Sequence, residues 1–422
     1  MNSQEKPENE APKKRRPQKR RIIKIMKWSL IVLALIFVAN WITSAVVASR
    51  NQKKINHFFQ EIGADSLEQL AGAEGDKDLF CGNGWYLYLG ALASLSRETL
   101  DIEDDDAPDG NEISNERRAF RERELDRVHG ILEEAEKAPY TVAVYNYNDP
   151  FSIEQPHCLE AYDYARLAVD SVRYLVRQGE PLKAGERLLD AVAMARGTTK
   201  FPVLITAMMR QSTLEKIADE LSQVIQELPD AILERLKSTL ESFDLEKDFA
   251  TGLRGEVFYA LFGWELLQGT RTISTSDEED SPGIVIPSWP LRYLIGSILE
   301  LDKAAYLDLM LPVATDPTLE NAQRVTRDSI PFYAKITGVL AVPRLEGAIS
   351  KHERIQAHLA VVLEALRLEL GRRHDGEWPA PRADCAGIPL EVKATPDGLV
   401  ITSPVLRKHL KDSEEVFTVQ LR

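Results

Sequence analysis

Apolar residues run without a single charge from Trp28 to Ala48, a stretch of 21 residues. At about 1.5 Å per helical residue it covers roughly 31 Å, close to the hydrocarbon thickness of a bilayer. The pattern predicts a transmembrane helix over residues 28–48, with Trp28 and Trp41 as interfacial rings. Beyond it the period turns helical. Asn51 to Leu70 reads as an amphipathic stalk leading away from the membrane. Trp85, Leu87, Leu89, Leu92 and Leu95 form a second apolar run, closed by the acidic segment Asp101 to Asp109. Arg117 to Lys137 is a strongly charged helix with a narrow apolar side of Phe120, Leu125, Val128, Ile131 and Leu132. The tract Tyr140 to Pro156, with its Tyr, Asn and Pro residues, reads as an ordered but irregular connection.

From there the helical signal strengthens. Tyr162, Ala165, Val169, Val172 and Val176 recur at steps of three and four, one face of a helix. Gly179-Glu180-Pro181 breaks it, Gly suiting a left-handed cap and Pro the first turn of the next helix. Leu182, Leu188, Leu189, Val192 and Ala195 continue to a stop at Gly197. A longer stripe, Leu214, Ile217, Leu221, Val224, Ile225 and Leu228, ends at Pro229-Asp230, where Asp230 is placed to cap the helix of Leu233, Leu236 and Leu240. Leu253 to Leu267 is apolar almost all round and is expected to be a central buried helix. Thr270 to Pro290 reads as a polar loop ending in the apolar knot IVIPSWP and marks a lobe boundary or excursion. Helices resume over Leu291 to Leu311, and a last one carries Ile355, Leu359, Val362, Leu366 and Leu370 on one face, with Gly371 as its stop.

The end of the chain changes character. Ile388 to Lys393, a turn at Pro396-Asp397-Gly398, and Leu399 to Ser403 predict a β-hairpin, with Val416 to Leu421 as a third strand. So small a sheet must lean on the last helix to bury its apolar face. The expected fold is mainly α: an N-terminal transmembrane helix, stacked antiparallel helical hairpins of irregular tetratricopeptide-like form, and a small C-terminal antiparallel β element. The expected divisions are a basic cytoplasmic tail (1–27), the transmembrane helix (28–48), a membrane-proximal helical region with an irregular connection (49–156), a helical-hairpin domain (157–375) and the β element (376–422).

Charge adds direction. Residues 1–27 hold ten Lys or Arg against three Glu, a net of +7. Positive flanks stay cytoplasmic, so residues 49–422 are expected outside the cytoplasm and the chain in a bacterial inner membrane as a single-pass signal-anchor protein. A signal peptide is the competing reading, with Val46-Val47-Ala48 as a cleavage site, but its apolar core of roughly 7–15 residues is shorter than this one. The remaining 42 basic and 63 acidic residues give the outer part a net of −21. That excludes a nucleic-acid partner, which needs clustered Lys and Arg, and argues against the domain lying on anionic headgroups. The bilayer, through residues 28–48, and an envelope protein are the expected partners. Of three cysteines, Cys81, Cys158 and Cys385, the pair Cys81–Cys158 is the first disulfide to test, beside the reading of all three as small buried hydrophobes.

The segment Tyr174 to Arg196, YLVRQGEPLKAGERLLDAVAMAR, resembles the middle of a tetratricopeptide-type hairpin, with Gly179 at the turn and Ala184, Leu188 and Ala191 where two helices approach. More broadly, the apolar N-terminal helix, this hairpin, the Arg254-Gly255-Glu256 step and the Trp378-Pro379 turn into strands resemble a group of uncharacterised bacterial membrane-anchored helical proteins. The stretch LELGRRHDGEWPAP followed by GLVITSP looks like the helix-to-sheet region of pseudopilins. Neither resemblance implies catalytic residues.

Candidate chemistry is thin. His352 and His358 lie six residues apart, about 240° around a helix, so they do not share a zinc. In the acidic run, Ala107 occupies an oxygen position that a calcium loop needs. Gly82-Asn83-Gly84 is too short to cradle phosphate. His157-Cys158 and His374-Asp375 form no recognisable constellation. Arg254 and Glu256, with Arg210, are charges in apolar surroundings and are expected to form a structural ion pair. No catalytic, cofactor-binding or metal-ligating residues are assigned. The expected function is a non-enzymatic, membrane-tethered extracytoplasmic scaffold or protein-interaction module of the cell envelope. The alternatives are an envelope hydrolase whose site is assembled from distant helices, and a part of a pseudopilin-like assembly.

Overall fold

The computed structural model describes residues 16–73, 83–95, 115–139, 141–145, 147, 156–198, 201–268, 289–325, 330–331, 334, 345–396, 398–408 and 417–422. They are mainly helical, with a small antiparallel sheet at the C-terminus. Cys81, the acidic segment 101–109 and the excursion 270–288 lie outside the described residues, and with them the Cys81–Cys158 pairing.

The first helix, α1 (Arg16–Ile62), is long and apolar enough to span a membrane. Its two halves live in different surroundings. Trp28, Leu33, Leu35 and Trp41 are all more than half exposed, whereas Asn51, Ile55 and Phe58 are buried. The amphipathic segment read as a stalk is helical to Ile62, and one face of it, Asn51, Ile55 and Phe58 at steps of four and three, closes into the body. There α1 meets α9 (Leu245–Gln268) and α10 (Trp289–Thr315). Phe59 stacks on Phe258 at 5.0 Å, and Asn51 and Gln268 both donate to the buried Glu300 carboxylate, at 2.8 and 2.7 Å.

Between them the chain lays down α2 (Leu67–Leu70), α3 (Gly84–Ser94), α4 (Asn115–Glu136), α5 (Pro156–Arg177), α6 (Pro181–Thr198), α7 (Leu204–Val224) and α8 (Asp230–Glu241). The second apolar run folds as α3 and buries Trp85, Tyr88, Ala91, Leu92 and Leu95, the helical rather than the alternating subset of its apolar positions. The α5–α6 hairpin turns at Gly179, whose φ of +78° is the left-handed conformation that glycine adopts without strain, and Pro181 opens α6. Ala184, Leu188 and Ala191 are fully buried where α6 meets its neighbours.

α9 buries residues on nearly every side, from Phe249 through Trp264. After α11 (Leu319–Gln323), α12 (Leu345–Asp375) runs four residues past Gly371. Gly371 is not the stop: a Cβ there would sit 2.1 Å from Pro379, so the glycine admits the returning chain, and Gly376 at φ +77° ends the helix. Arg367 then holds the Ala380 carbonyl at 2.7 Å, and Glu364 accepts from the Arg382 amide.

A two-stranded ladder, β1 (Asp384–Cys385) with β2 (Ile388–Pro389), precedes the sheet β3 (Glu391–Thr395), β4 (Gly398–Thr402) and β5 (Val419–Leu421), all antiparallel in order β3-β4-β5. The hairpin and third strand read from the sequence are thus present. Ile401, Val419 and Leu421, with Leu406 of the short helix α13 (Pro404–Lys408), bury their side chains in one cluster with Leu366 and Leu370 of α12.

Replacing Glu300 with Ala removes the carboxylate to which the buried Asn51 amide and the half-buried Gln268 amide donate, and is expected to destabilise the chain by about 1–3 kcal/mol. Glu300→Gln, which keeps an acceptor oxygen, is expected to cost less; thermal unfolding in detergent micelles measures both.

Candidate functional site

Three features of the body concentrate polar or apolar groups. The first is a groove of about 470 Å³ at the α8–α9 junction, walled by Phe243, Leu359, Leu363 and Ile388. Glu241, Asp244 and Glu246 stand on its rim against one cation, Arg382. Cys385 lines it too, but burial and the neighbouring Glu364 push its thiol up, so it carries little thiolate and is a poor nucleophile.

The second is a buried charge cluster joining α4 to α6, with Tyr164 of α5 beside it. Arg187, only 1 % exposed, bonds Asp126, reaches Glu122 at 3.2 Å and lies 3.5 Å from Asp190. His129 bonds Asp190 at 2.8 Å, and that hydrogen bond raises the histidine above its ordinary range. Lys183 closes the set on Asp126, and the Tyr164 hydroxyl, fully buried, has no hydrogen-bond partner among the described residues. Glu122 and Asp126 on α4 against Arg187 on α6, with Asp190 beside it, fix the approach of those two helices; breaking such a set costs far more than it contributes net. Neither His129 nor Asp190 lines the groove at the α8–α9 junction.

The third feature concerns the charges singled out in the sequence. Arg254, Glu256 and Arg210 do not form one ion pair. Arg210 takes Asp248 instead. Glu256 accepts from the Leu204 amide at 2.9 Å, and Val203, which precedes α7, supplies no side-chain cap. Arg254 donates to the Ala314 carbonyl at 3.3 Å, in the last turn of α10. The anion therefore sits on one helix N-terminus and the cation on another's C-terminus, each the sign the terminal dipole favours. Gly255 makes this possible: a Cβ at that residue would lie 1.3 Å from the Pro202 carbonyl oxygen. Arg373 works the same way, donating to the Gln226 and Leu228 carbonyls beyond the end of α7 at 2.7 Å. It also pairs with Asp230, which is the first residue of α8 and not its cap. Sequence reasoning missed these caps because each partner lies far away along the chain.

The histidines are packed apart. His352 accepts from Gln211 at 2.8 Å and stacks on Phe249 at 4.3 Å. His358 stacks on Phe417 at 4.2 Å, 3.7 Å from Asp219. Burial lowers both to about 4. Burial and Glu215 push Asp219 up to about 6. His374 lies by the exposed Glu234, and Cys158 is buried with its thiol pushed up by that burial.

Two outcomes follow. Glu256→Ala removes the cap on α7 and is expected to cost about 1–2 kcal/mol in thermal unfolding. His352 and His358 bind protons less readily folded than unfolded, so their stabilisation is complete above pH 6.5 and is lost as pH falls toward 4. The double variant His352→Gln, His358→Gln is expected to lose less stability between pH 7 and pH 4.5 than the unaltered chain; an equal loss would contradict the assignment. No known protein family, curated protein or solved structure matches the chain.

Proposed function

We propose that the chain is a single-pass protein of the bacterial inner membrane, its N-terminus cytoplasmic and its body an extracytoplasmic interaction scaffold without catalytic activity. One observation carries the reading: a single continuous helix, α1, is exposed along its apolar half and buries one face, Asn51, Ile55 and Phe58, in the body beyond it. An exposed apolar helix of that length belongs in lipid. The basic residues before it favour a cytoplasmic tail. The α5–α6 hairpin, with its likeness to a tetratricopeptide unit, supports a surface built for protein contacts.

The groove at the α8–α9 junction is the proposed docking site. Its apolar floor and acidic rim suit a basic amphipathic segment of an envelope protein, since a partner of that charge neutralises Glu241, Asp244 and Glu246. The hydrolase reading has less support: the closest acid–base pair, His129 with Asp190, is committed to the buried cluster.

A periplasm-dependent reporter fused after Arg422 is expected to be active, and a cytoplasm-dependent one silent; the reverse result overturns the topology. In full-length protein embedded in nanodiscs, Leu363→Arg is expected to abolish capture of a basic envelope protein that the unaltered chain retains. Undiminished capture would remove the groove from the proposal.

A further inference from the structure

α10 runs parallel to α1, not across it. Gly296 lies opposite Ser44, where a Cβ on the glycine would meet the Ser44 hydroxyl at 3.7 Å. The Ser297 hydroxyl donates to the Asn40 side-chain oxygen, Asn51 reaches Glu300, and Lys54 pairs with Asp308. From residues 40–44 against 296–297, through Asn51 against Glu300, to Lys54 against Asp308, the contacts advance along both helices, so their N-termini point the same way.

This register places the start of α10 at the depth of the apolar half of α1. Ser44 stands four residues inside Ala48, the outer end of the uncharged stretch, which is about 6 Å along a helix. Trp289 precedes Gly296 by seven residues, about 10 Å further in. The first residue of α10 therefore lies about 16 Å below the level of Ala48, roughly half of a hydrocarbon core. Composition changes at the same height on both helices. On α1 the uncharged stretch gives way to Arg50 and Asn51, and on α10 the segment from Trp289 to Leu299, whose one charge is Arg292, gives way to Glu300, Asp302 and Lys303. The contacts below that level also suit lipid. A glycine beside a serine permits close helix approach, and the Ser297–Asn40 hydrogen bond satisfies two polar groups against each other. Ile298 is half exposed on the outside of the pair.

We infer that the N-terminal half of α10, Trp289 to Leu299, is embedded beside α1 in the extracytoplasmic leaflet, so that acyl chains meet the side of the helix turned away from α1 and the body sits on the membrane along two helices. The inference rests on the reading of α1 as a membrane-spanning helix. The acidic surface of the body does not oppose it, because the contact is with hydrocarbon and not with headgroups.

A lipid carrying a photoreactive group on its acyl chain tests this on the full chain reconstituted in vesicles. Cleavage after Lys and Arg releases separate peptides for α1 (Trp28 to Arg50), α10 (Tyr293 to Lys303) and, as a control from the protein interior, α12 (Ile355 to Arg367). The expected result is labelling of the α1 and α10 peptides, both on the order of tenfold above the α12 peptide, because backbone at membrane depth meets lipid wherever protein does not cover it. Labelling of α1 alone overturns the inference while leaving the spanning helix intact. Labelling of neither overturns the spanning reading and the inference together.

Discussion

The Glu300 carboxylate holds the molecule's two halves in one geometry. It is buried where α1, α9 and α10 converge, and it accepts from the amides of Asn51 and Gln268. A carboxylate withdrawn from water is tolerated only with such partners, and their loss would leave an uncompensated buried group. The three helices are therefore registered at one level, just beyond the end of the uncharged stretch of α1. Because α1 passes through that level unbroken, the orientation of its apolar half is imposed on everything packed behind it.

Behind this junction the body is assembled by helices whose ends are closed by side chains from other helices. Glu256 serves the N-terminus of α7, Arg373 the carbonyls beyond its C-terminus, and Arg254 the last turn of α10. Each contact satisfies groups that a helix cannot satisfy for itself and ties two elements together. The Arg187 cluster does equivalent work between α4 and α6. Charges placed in apolar surroundings thus act as fasteners, and their chemistry is absorbed by structure.

Much of the fold was legible because one-dimensional periods report which face is buried. The stripes on α5, α7 and α12, the Gly179-Glu180-Pro181 break and the hairpin of β3 and β4 all follow from local rules. What failed required knowledge of a distant neighbour. Asn51, Ile55 and Phe58 look like the face of a stalk until Glu300 and Phe258 are placed against them. Gly371 looks like a helix stop, but it is a contact point for Pro379. Arg254, Gly255 and Glu256 stand out as a motif, yet the reason is the closeness of Pro202 and the bare N-terminus of α7. The groove was not legible at all, since its α8 wall lies more than a hundred residues along the chain from the walls of α12 and β2.

Hydrogen exchange on the full chain in nanodiscs tests the central claim most directly, because it reports whether α1 is one rigid element through the Glu300 junction. The account predicts continuous slow exchange of backbone amides from Asn40 to Phe58, with no break between Ala48 and Lys53. A window of fast exchange there would mean a hinge between the apolar helix and the body, and would contradict it.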